Sequence, residues 1–282
     1  MLDQRIEGIL VRARSLGGIG TTLTFPEFDL SVDLGVCTPA ALRTSTIALT
    51  HTHADHLSGL PMYLGVRRLF GMASPRLIAP AATVPALESL VASLGVLQGR
   101  PFEVLLDPIR LGEDLPLASS LFLHPFGAGH PVPSVGYVVV RRVQKLREEY
   151  VGLSSDQIVR LRRERGMEMF RTVEEPLVAV TGDSTAAGMD LDDPLVQRAR
   201  LLFVEATFVD DQRDLAHVHA GGHARLDELV PRLQALSCGT IVLYHFSQIY
   251  RFDEVEAAVQ ALLPRSLAAR TILLRPDEAD RL

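Results

Sequence analysis

The stretch LTHTHADHLSGLP, residues 49 to 61, sets His51, His53, Asp55 and His56 within six positions. At the spacing H-x-H-x-D-H, four side chains that bind borderline cations cannot all point the same way from regular secondary structure, so they suit a loop wrapped around metal. Further along, HPVPSVGYVVV places His130 in a Gly-Pro-rich loop before an apolar run, and VAVTGDS places Asp183 just after one. LLFVEATF puts Glu205 near the end of another, and IVLYHFS puts His245 in the same position. Five imidazoles (His51, His53, His56, His130, His245) and two carboxylates (Asp55, Asp183) make a nitrogen and oxygen donor set that suits zinc, manganese or iron rather than a thiolate-rich structural site. These donors exceed what one tetrahedral ion takes. Shared between two ions with one bridging carboxylate, they leave room for water. Two ions roughly 3.5 to 4 Å apart hold a hydroxide at neutral pH, because coordination lowers the pKa of water from about 15.7 to near 7. The matching reaction class is hydrolysis of a phosphodiester or ester-like bond. Taken singly, His130 or His245 reads as a structural histidine and Asp183 as a turn residue. Packing does not explain the cluster at 51 to 56.

The elements that must position these groups are short. Strand-like runs stand at GILVRAR, TTLTF, FDLSVDLG, TIAL, RLIAP, FEVLLD, LFLHPF, VGYVVV, LVAVTG, LLFVEATF, TIVLYHF and TILL. Helical patterns stand at HLSGLPMYLGVRRLF, TVPALESLVASL, SSDQIVRLRRER, DDPLVQRA, ARLDELVPRLQAL and DEVEAAVQALL. The first half opens with strands in hairpin-like succession and later strands alternate with helices, so two packed sheets, or a mixed sheet, with helices outside fit better than a barrel. At 282 residues the chain is expected to form one domain, 1–282, interrupted by a basic insertion at 141–174. Between residues 141 and 171, nine Arg or Lys face five acidic residues, a local +4 inside a chain of net charge -6. The insertion is either a solvated amphipathic helix or a contact for phosphates. The overall charge argues against a general polyanion binder, so any nucleic-acid contact needs such a local patch.

No apolar run approaches the roughly 18 to 20 residues of a membrane span. The start, MLDQRIEGIL, carries acidic residues and no long apolar stretch, so it does not read as a secretory signal. Cys37 and Cys238 share no C-x-x-C spacing and suit buried thiols in a reducing compartment. The expected location is the cytoplasm.

THTHADHLSGLP resembles the H-x-H-x-D-H signature of the metallo-β-lactamase superfamily. In order, HPVPSVGY, VTGDS, EATF, GHARLDE and YHFS resemble its ribonuclease Z branch, the tRNA 3′-end processing endonucleases. The likeness runs from about residue 15 to 255. It implies a four-layer αββα sandwich with a dimetal site at one edge. It implies that His51, His53 and His130 hold one zinc and Asp55, His56 and His245 the second, with Asp183 bridging; manganese or iron would also suit these donors. Asp55 is then also the general base. Glu205 and His223 correspond to the family's pair that handles the proton of the leaving 3′-oxygen, a carboxylate raising the basicity of its histidine. His223 is chosen over His217 and His219 by the following L-D-E and by the 22 residues to His245. His124 matches no family position and reads as a strand histidine satisfied by its neighbours.

The likeness further implies a homodimer and precursor tRNA as substrate, with removal of the 3′ trailer. Residues 141–174 lack the Gly-Pro-rich stretch of typical bacterial arms and look more like the arm of some plant short-form relatives, and GGIGTTLTF lacks the P-x-x-x-R-N type loop of many members. The alternatives are a hydrolase of a small phosphodiester or other ester, and a metal-stabilised RNA-binding subunit with little turnover. Retention of Asp55, Glu205 and His223 speaks against the last, which needs neither base nor proton donor.

Overall fold

The computed structural model describes residues 2–277. Met1 and residues 278–282, part of the expected 1–282 range, lie outside the described residues. The β-branched and aromatic runs pair into two seven-stranded sheets. The first runs, in spatial order, β1 (Leu2–Ile6), β2 (Ile9–Leu16), β3 (Gly20–Phe25), β4 (Leu30–Val32), β5 (Thr46–Ala48), β6 (Arg76–Pro80) and β7 (Leu105–Ile109). The second is built likewise from β8 (Leu115–Ala118), β9 (Leu121–Gly127), β10 (Val135–Leu146), β11 (Phe170–Val180), β12 (Leu201–Glu205), β13 (Thr240–Tyr244) and β14 (Thr271–Leu273). Each begins as an antiparallel meander, β1 to β4 and β8 to β11, and continues as a parallel ladder. Parallel neighbours need long crossovers, and these carry the helices.

Helices α1 (Pro39–Arg43), α2 (Ala54–Leu57), α3 (Leu60–Leu69) and α4 (Val84–Leu97) belong to the first half, and α5 (Ser155–Arg165) to the insertion. Helices α6 (Pro194–Gln197), α7 (Leu215–Ala220), α8 (Leu226–Ala235), α9 (Phe252–Leu262) and α10 (Arg265–Ala268) follow in the second half. Alternation along the strands divides the core. Val11, Leu23 and Phe25 meet Val139, Phe203 and Tyr244 between the sheets, with the Phe25 and Phe203 rings edge-on at 5.7 Å. Leu202, Val204, Ile241 and Leu243 turn outward onto Leu226, Leu229 and Val255, while Ile47, Leu49 and Leu77 turn onto Leu60, Tyr63 and Leu87. The result is the expected αββα sandwich. Strands such as LLFVE lack polar alternation because both their faces are covered.

The differences from the sequence reading fall where the hydrophobic pattern is weak. β1 is an edge strand, LDQRI, with three exposed polar residues, and β8 contains a proline, a residue tolerated at sheet edges. α1, α7 and α10 have six residues or fewer, too few for an amphipathic period. FDLSVDLG shrinks to Leu30–Val32, because Asp33 takes a left-handed backbone at φ 59°. The insertion is not a helix alone: VGYVVV runs on to Leu146, and the strand read at LVAVTG begins seven residues earlier, at Phe170. Beyond Arg141, β10 pairs only with β11, so a two-stranded ribbon projects from the sheet. α5 caps it, starting on a Ser154/Gln157 capping box and burying none of its residues. His124 lies between Asp114, at 2.6 Å, and Asp193, at 3.0 Å, the satisfied strand histidine expected. Among the described residues, no helix is long and apolar enough to cross a membrane.

Candidate metal centre

Topology places the polar strand ends on one edge. β11, β12 and β13 run parallel, so Asp183, Glu205 and His245 leave the same side, and antiparallel β10 starts there, after the loop carrying His130. In the first sheet β4 and β5 end on that side with Asp33 and the 49–56 segment. The two edges are tied together by Val135 N–H donating to Thr50 O at 3.0 Å, Tyr137 O–H to Leu49 O at 2.7 Å and Gly17 N–H to Phe246 O at 2.9 Å. The cluster is loop only in its first half. His51 and His53 lie in loop, whereas Asp55 and His56 lie on the single turn of α2.

All seven expected ligands come together. His51, His53 and His130 form one group, and Asp55, His56, Asp183 and His245 a second, with the donor atoms of each group within 4.8 Å of one another. His130 Nε2 is 3.0 Å from His53 Nδ1, and His56 Nε2 is 3.2 Å from His245 Nε2. Asp183 Oδ2 lies 3.3 Å from His56 Nε2, 3.4 Å from His245 Nε2 and 3.8 Å from His51 Nε2, so it stands between the groups. His245 Nε2 is 3.3 Å from Asp55 Oδ2. Donors about 2.0 to 2.2 Å from a tetrahedral ion stand roughly 3.3 to 3.5 Å from one another, so several of these edges already have the dimensions of a zinc polyhedron.

The hydrogen bonds give an independent test of fit. Each of four imidazoles is anchored through Nδ1. His56 Nδ1–H donates to Asp33 Oδ2 at 2.8 Å, and His130 Nδ1–H to Gly222 O at 2.9 Å. Thr50 Oγ1 gives its proton to Asp33, at 2.9 Å, and so accepts from His51 Nδ1–H at 3.0 Å. Thr207 Oγ1 gives its proton to Glu205 Oε2, at 2.7 Å, and accepts from His245 Nδ1–H at 3.0 Å. The Nε2 lone pairs of all four are thereby left for a metal. Buried His51 Nε2 and Asp183 Oδ1 have no hydrogen-bond partner, an arrangement that costs free energy in a protein interior and that a cation relieves. The donor set fits a divalent metal.

Electrostatics agree for His51 and the two aspartates; burial works against a charged His56, yet Asp183 and Asp33 hold its proton well above the ordinary value, so a metal must displace a proton there. Burial pushes His51 down to about 2, which keeps its imidazole neutral, the form that ligates metal. Burial opposes ionisation of Asp183, yet the surrounding His245 and His56 hold it well below the usual carboxylate range. Burial likewise opposes ionisation of Asp55, and the hydrogen bond with His245 and the neighbouring His56 outweigh it, so this carboxylate is ionised. Gly18 N–H also donates to Asp55 Oδ2 at 2.9 Å. His245 itself holds a left-handed backbone at φ 64°, a conformation uncommon outside glycine that recurs at functional sites. At Gly222, φ 75°, a Cβ would stand 2.5 Å from His130 Nδ1, so only glycine lets this loop reach the ligand.

Glu205 and His223 complete the site. Glu205 is fully buried and accepts from the backbone N–H groups of Thr207, at 2.9 Å, and Ala224, at 2.9 Å. His223 Nδ1 lies 3.6 Å from Glu205 Oε1 and 3.2 Å from Thr207 Oγ1, and its ring stacks on His245 at 5.6 Å. Burial lowers the basicity of His223, but Glu205 and the nearby aspartates pull it up to about 9. His217 and His219 stay apart: the first meets the edge of Phe208, and the second binds Glu228 at 2.9 Å. Sequence reasoning missed Asp33, Thr50 and Thr207. Thr50 and Thr207 lie inside quoted motifs, and Asp33 in FDLSVDLG is a lone carboxylate at a strand end, the same signal that singled out Asp183.

No protein-family model matches the chain. It is 34% identical over 261 residues to tRNase Z TRZ1 of Arabidopsis thaliana, covering 92% of this chain and 93% of that protein. It is 31% identical over 258 residues to the chloroplastic tRNase Z TRZ2 of the same plant, covering 91% and 73%. A Staphylococcus carnosus ribonuclease Z is 27% identical over 237 residues, covering 76% and 74%. Among solved structures, the metallo-β-lactamase fold protein YhfI from Bacillus subtilis superposes with TM-score 0.64 at 16% identity over 94% and 96% of the two chains. Human tRNase Z, short form, does so with 0.61 at 17% identity over 94% and 96%, which establishes the fold. Identity at this level along nearly the whole chain, around this site, shows that the chain belongs to the ribonuclease Z (tRNase Z) family, and its fold is the metallo-β-lactamase fold.

Proposed function

We propose that the protein is a metal-dependent endoribonuclease that removes the 3′ trailer of precursor tRNA. The observation that carries this reading is the union of two features: four histidines anchored at Nδ1 around Asp183, and a buried Glu205 charging His223 beside them. His51, His53 and His130 would hold one zinc ion and Asp55, His56 and His245 a second, with Asp183 between; manganese or iron would suit the same donors. Bound there, the ions supply an activated water and neutralise charge on the phosphoryl oxygens.

The chain's own residues handle the protons. Asp55, kept ionised at the rim, takes the proton of the attacking water on Oδ2. His223 is held by Thr207 and Glu205 through Nδ1, so it donates from Nε2 to the leaving 3′-oxygen, an alkoxide that would otherwise leave poorly. A pKa near 9 keeps that proton in place at neutral pH.

The reading treats 141–174 as an arm within a single domain that grips the tRNA through phosphate contacts from Arg160, Arg162, Arg163 and Arg165. Outward display of α5 supports it: none of its residues is buried and all four arginines are exposed, although Arg162 leans on the Phe170 ring and Arg165 donates to the Tyr150 hydroxyl at 2.9 Å. A homodimer, in which the arm of one copy reaches the cleft of the other, follows from the family likeness, and sedimentation velocity tests it. Two free thiols, Cys37 and Cys238, suit a reducing compartment such as the cytoplasm.

The deciding experiment is cleavage of a 3′-extended precursor tRNA by metal-loaded protein, with the cut site mapped and Asp55→Ala as control. A single cut after the discriminator nucleotide, lost in the control, is expected. Hydrolysis of bis(p-nitrophenyl) phosphate with no cut in the precursor would move the substrate to a small phosphodiester.

A further inference from the structure

At the edge of the first sheet opposite the metal centre, the C-terminal turn of α3 and the segments 71–75 and 100–103 enclose a cavity of about 330 Å³. Its lining brings together three guanidinium groups, Arg67, Arg68 and Arg100, and one carboxylate, Glu103. Among the described residues none of the three arginines pairs with a carboxylate. Glu103 is instead engaged by the Ser74 hydroxyl at 3.3 Å. In a chain of net charge -6, this is a local excess of positive charge, smaller than that of the 141–171 segment.

Arg67 sharpens the point. It is only 3% exposed. Its Nη1 donates to the carbonyls of Leu42 and Thr44, both at 3.0 Å, and its Nη2 to that of Ala73 at 2.8 Å. Those acceptors are uncharged, and its buried Nε has no partner. Its guanidinium also faces the Tyr63 ring at 5.2 Å, so carbonyl dipoles and one π-face meet this buried charge, which remains costly unless a counter-charge comes close. Arg68 is held with its guanidinium 4.2 Å over the Phe102 ring while its Nη1 donates to Arg100 O at 3.0 Å, so its fork is pre-set rather than free in solvent. Planar guanidinium forks match the oxygens of a phosphate. The volume lies at the lower end of pockets that take small ligands.

We propose that this cavity is a second site, which binds a small phosphate-bearing ligand of nucleoside monophosphate size. It lies apart from the catalytic centre. Ser74 and Pro75 lead into the start of β6, whereas the ligand loop leaves the end of β5, and the ten residues of α3 separate the two by about 15 Å. The site therefore does not depend on the reaction assigned above.

The test is calorimetric titration of metal-loaded protein with adenosine 5′-monophosphate, repeated with inorganic phosphate as competitor. Two comparisons accompany it: the double variant Arg68→Gln/Arg100→Gln, which leaves structural Arg67 in place, and His51→Ala or metal-stripped protein. Saturable binding that phosphate competes away, that survives in the His51→Ala or stripped protein, and that weakens by about tenfold or more in the double variant at unchanged melting temperature is expected. Absence of binding at millimolar nucleotide would overturn the proposal. So would binding that vanishes with the metals and persists in the double variant, since the nucleotide would then sit at the catalytic centre.

Discussion

Thr207 is the residue on which the two halves of the chemistry meet. One hydroxyl accepts from both His245 and His223 and donates its own proton to Glu205, so the proposed ligand histidine and the proposed proton donor share one anchor. Thr207→Val keeps the shape and removes the acceptor. It is expected to weaken metal affinity about 10- to 100-fold and to slow cleavage as well, read by metal titration beside single-turnover rates. Glu205→Gln separates the roles: metal content measured by mass spectrometry should stay near that of the unaltered protein while the rate falls about 100-fold or more, the scale of general acid catalysis. His51→Ala, by contrast, should lose metal and activity together. Full activity in that variant would sink the ligand assignment. Of these residues, the histidines and Asp183 stood out in sequence because strand-end imidazoles and carboxylates are chemically loud. Thr50 and Thr207 did not, because threonine is common in strands and only three-dimensional neighbours reveal what its hydroxyl serves.

The ribbon of β10 and β11 and the edge of β9 show how elements carry function beyond the centre. Replacing Arg160 and Arg163 by Ser should leave the melting temperature nearly unchanged, because α5 buries none of its residues and neither side chain supports a neighbour as Arg162 and Arg165 do, and should leave bis(p-nitrophenyl) phosphate hydrolysis unchanged. It should raise KM for precursor tRNA and flatten its salt dependence by nearly one log unit per lost phosphate contact. An unchanged slope would reduce α5 to a solvated cap. On β9, burial works against a charged His124, but the hydrogen bonds it donates to Asp114 and Asp193 outweigh it and hold its pKa above the ordinary 6.5. The folded chain thus binds this proton more tightly than the unfolded one. That stabilisation is complete below pH 6.5 and fades as pH rises through the higher folded value. His124→Gln should therefore depress the melting temperature more at pH 5.5 than at pH 9, and an equal loss at both would show that packing, not charge, is at stake.

For the whole molecule, the proposed metal centre would also be a clasp. His51, His53, Asp55 and His56 come from the first sheet, and His130, Asp183 and His245 from the second, so metal bound there would join the two halves at one edge. Stripping the metal with a chelator should lower the melting temperature, and restoring it at about 1,000 times its Kd should return roughly 4 kcal/mol of stability. A melting temperature indifferent to metal would place the ions outside this cluster.

Residue order alone pointed to the proposed chemistry. The H-x-H-x-D-H spacing and the succession of His130, Asp183, Glu205 and His245 at the ends of apolar runs identified every proposed ligand, because polar side chains at strand ends leave the core and remain free to act. The same runs narrowed the architecture to a mixed sheet or two packed sheets with helices outside, since buried strands must be apolar whatever lies above them, and the family likeness chose the sandwich. Tertiary structure alone decided the rest. The edge strands β1 and β8 and the short helices have too little hydrophobic period to be seen locally. Nothing in a linear string places Asp33 under His56, or Thr207 between two imidazoles contributed 16 and 38 residues further along the chain. Those contacts exist because parallel strands of one hand deliver their ends to a common edge, a property of how the strands are connected and of nothing shorter than the fold.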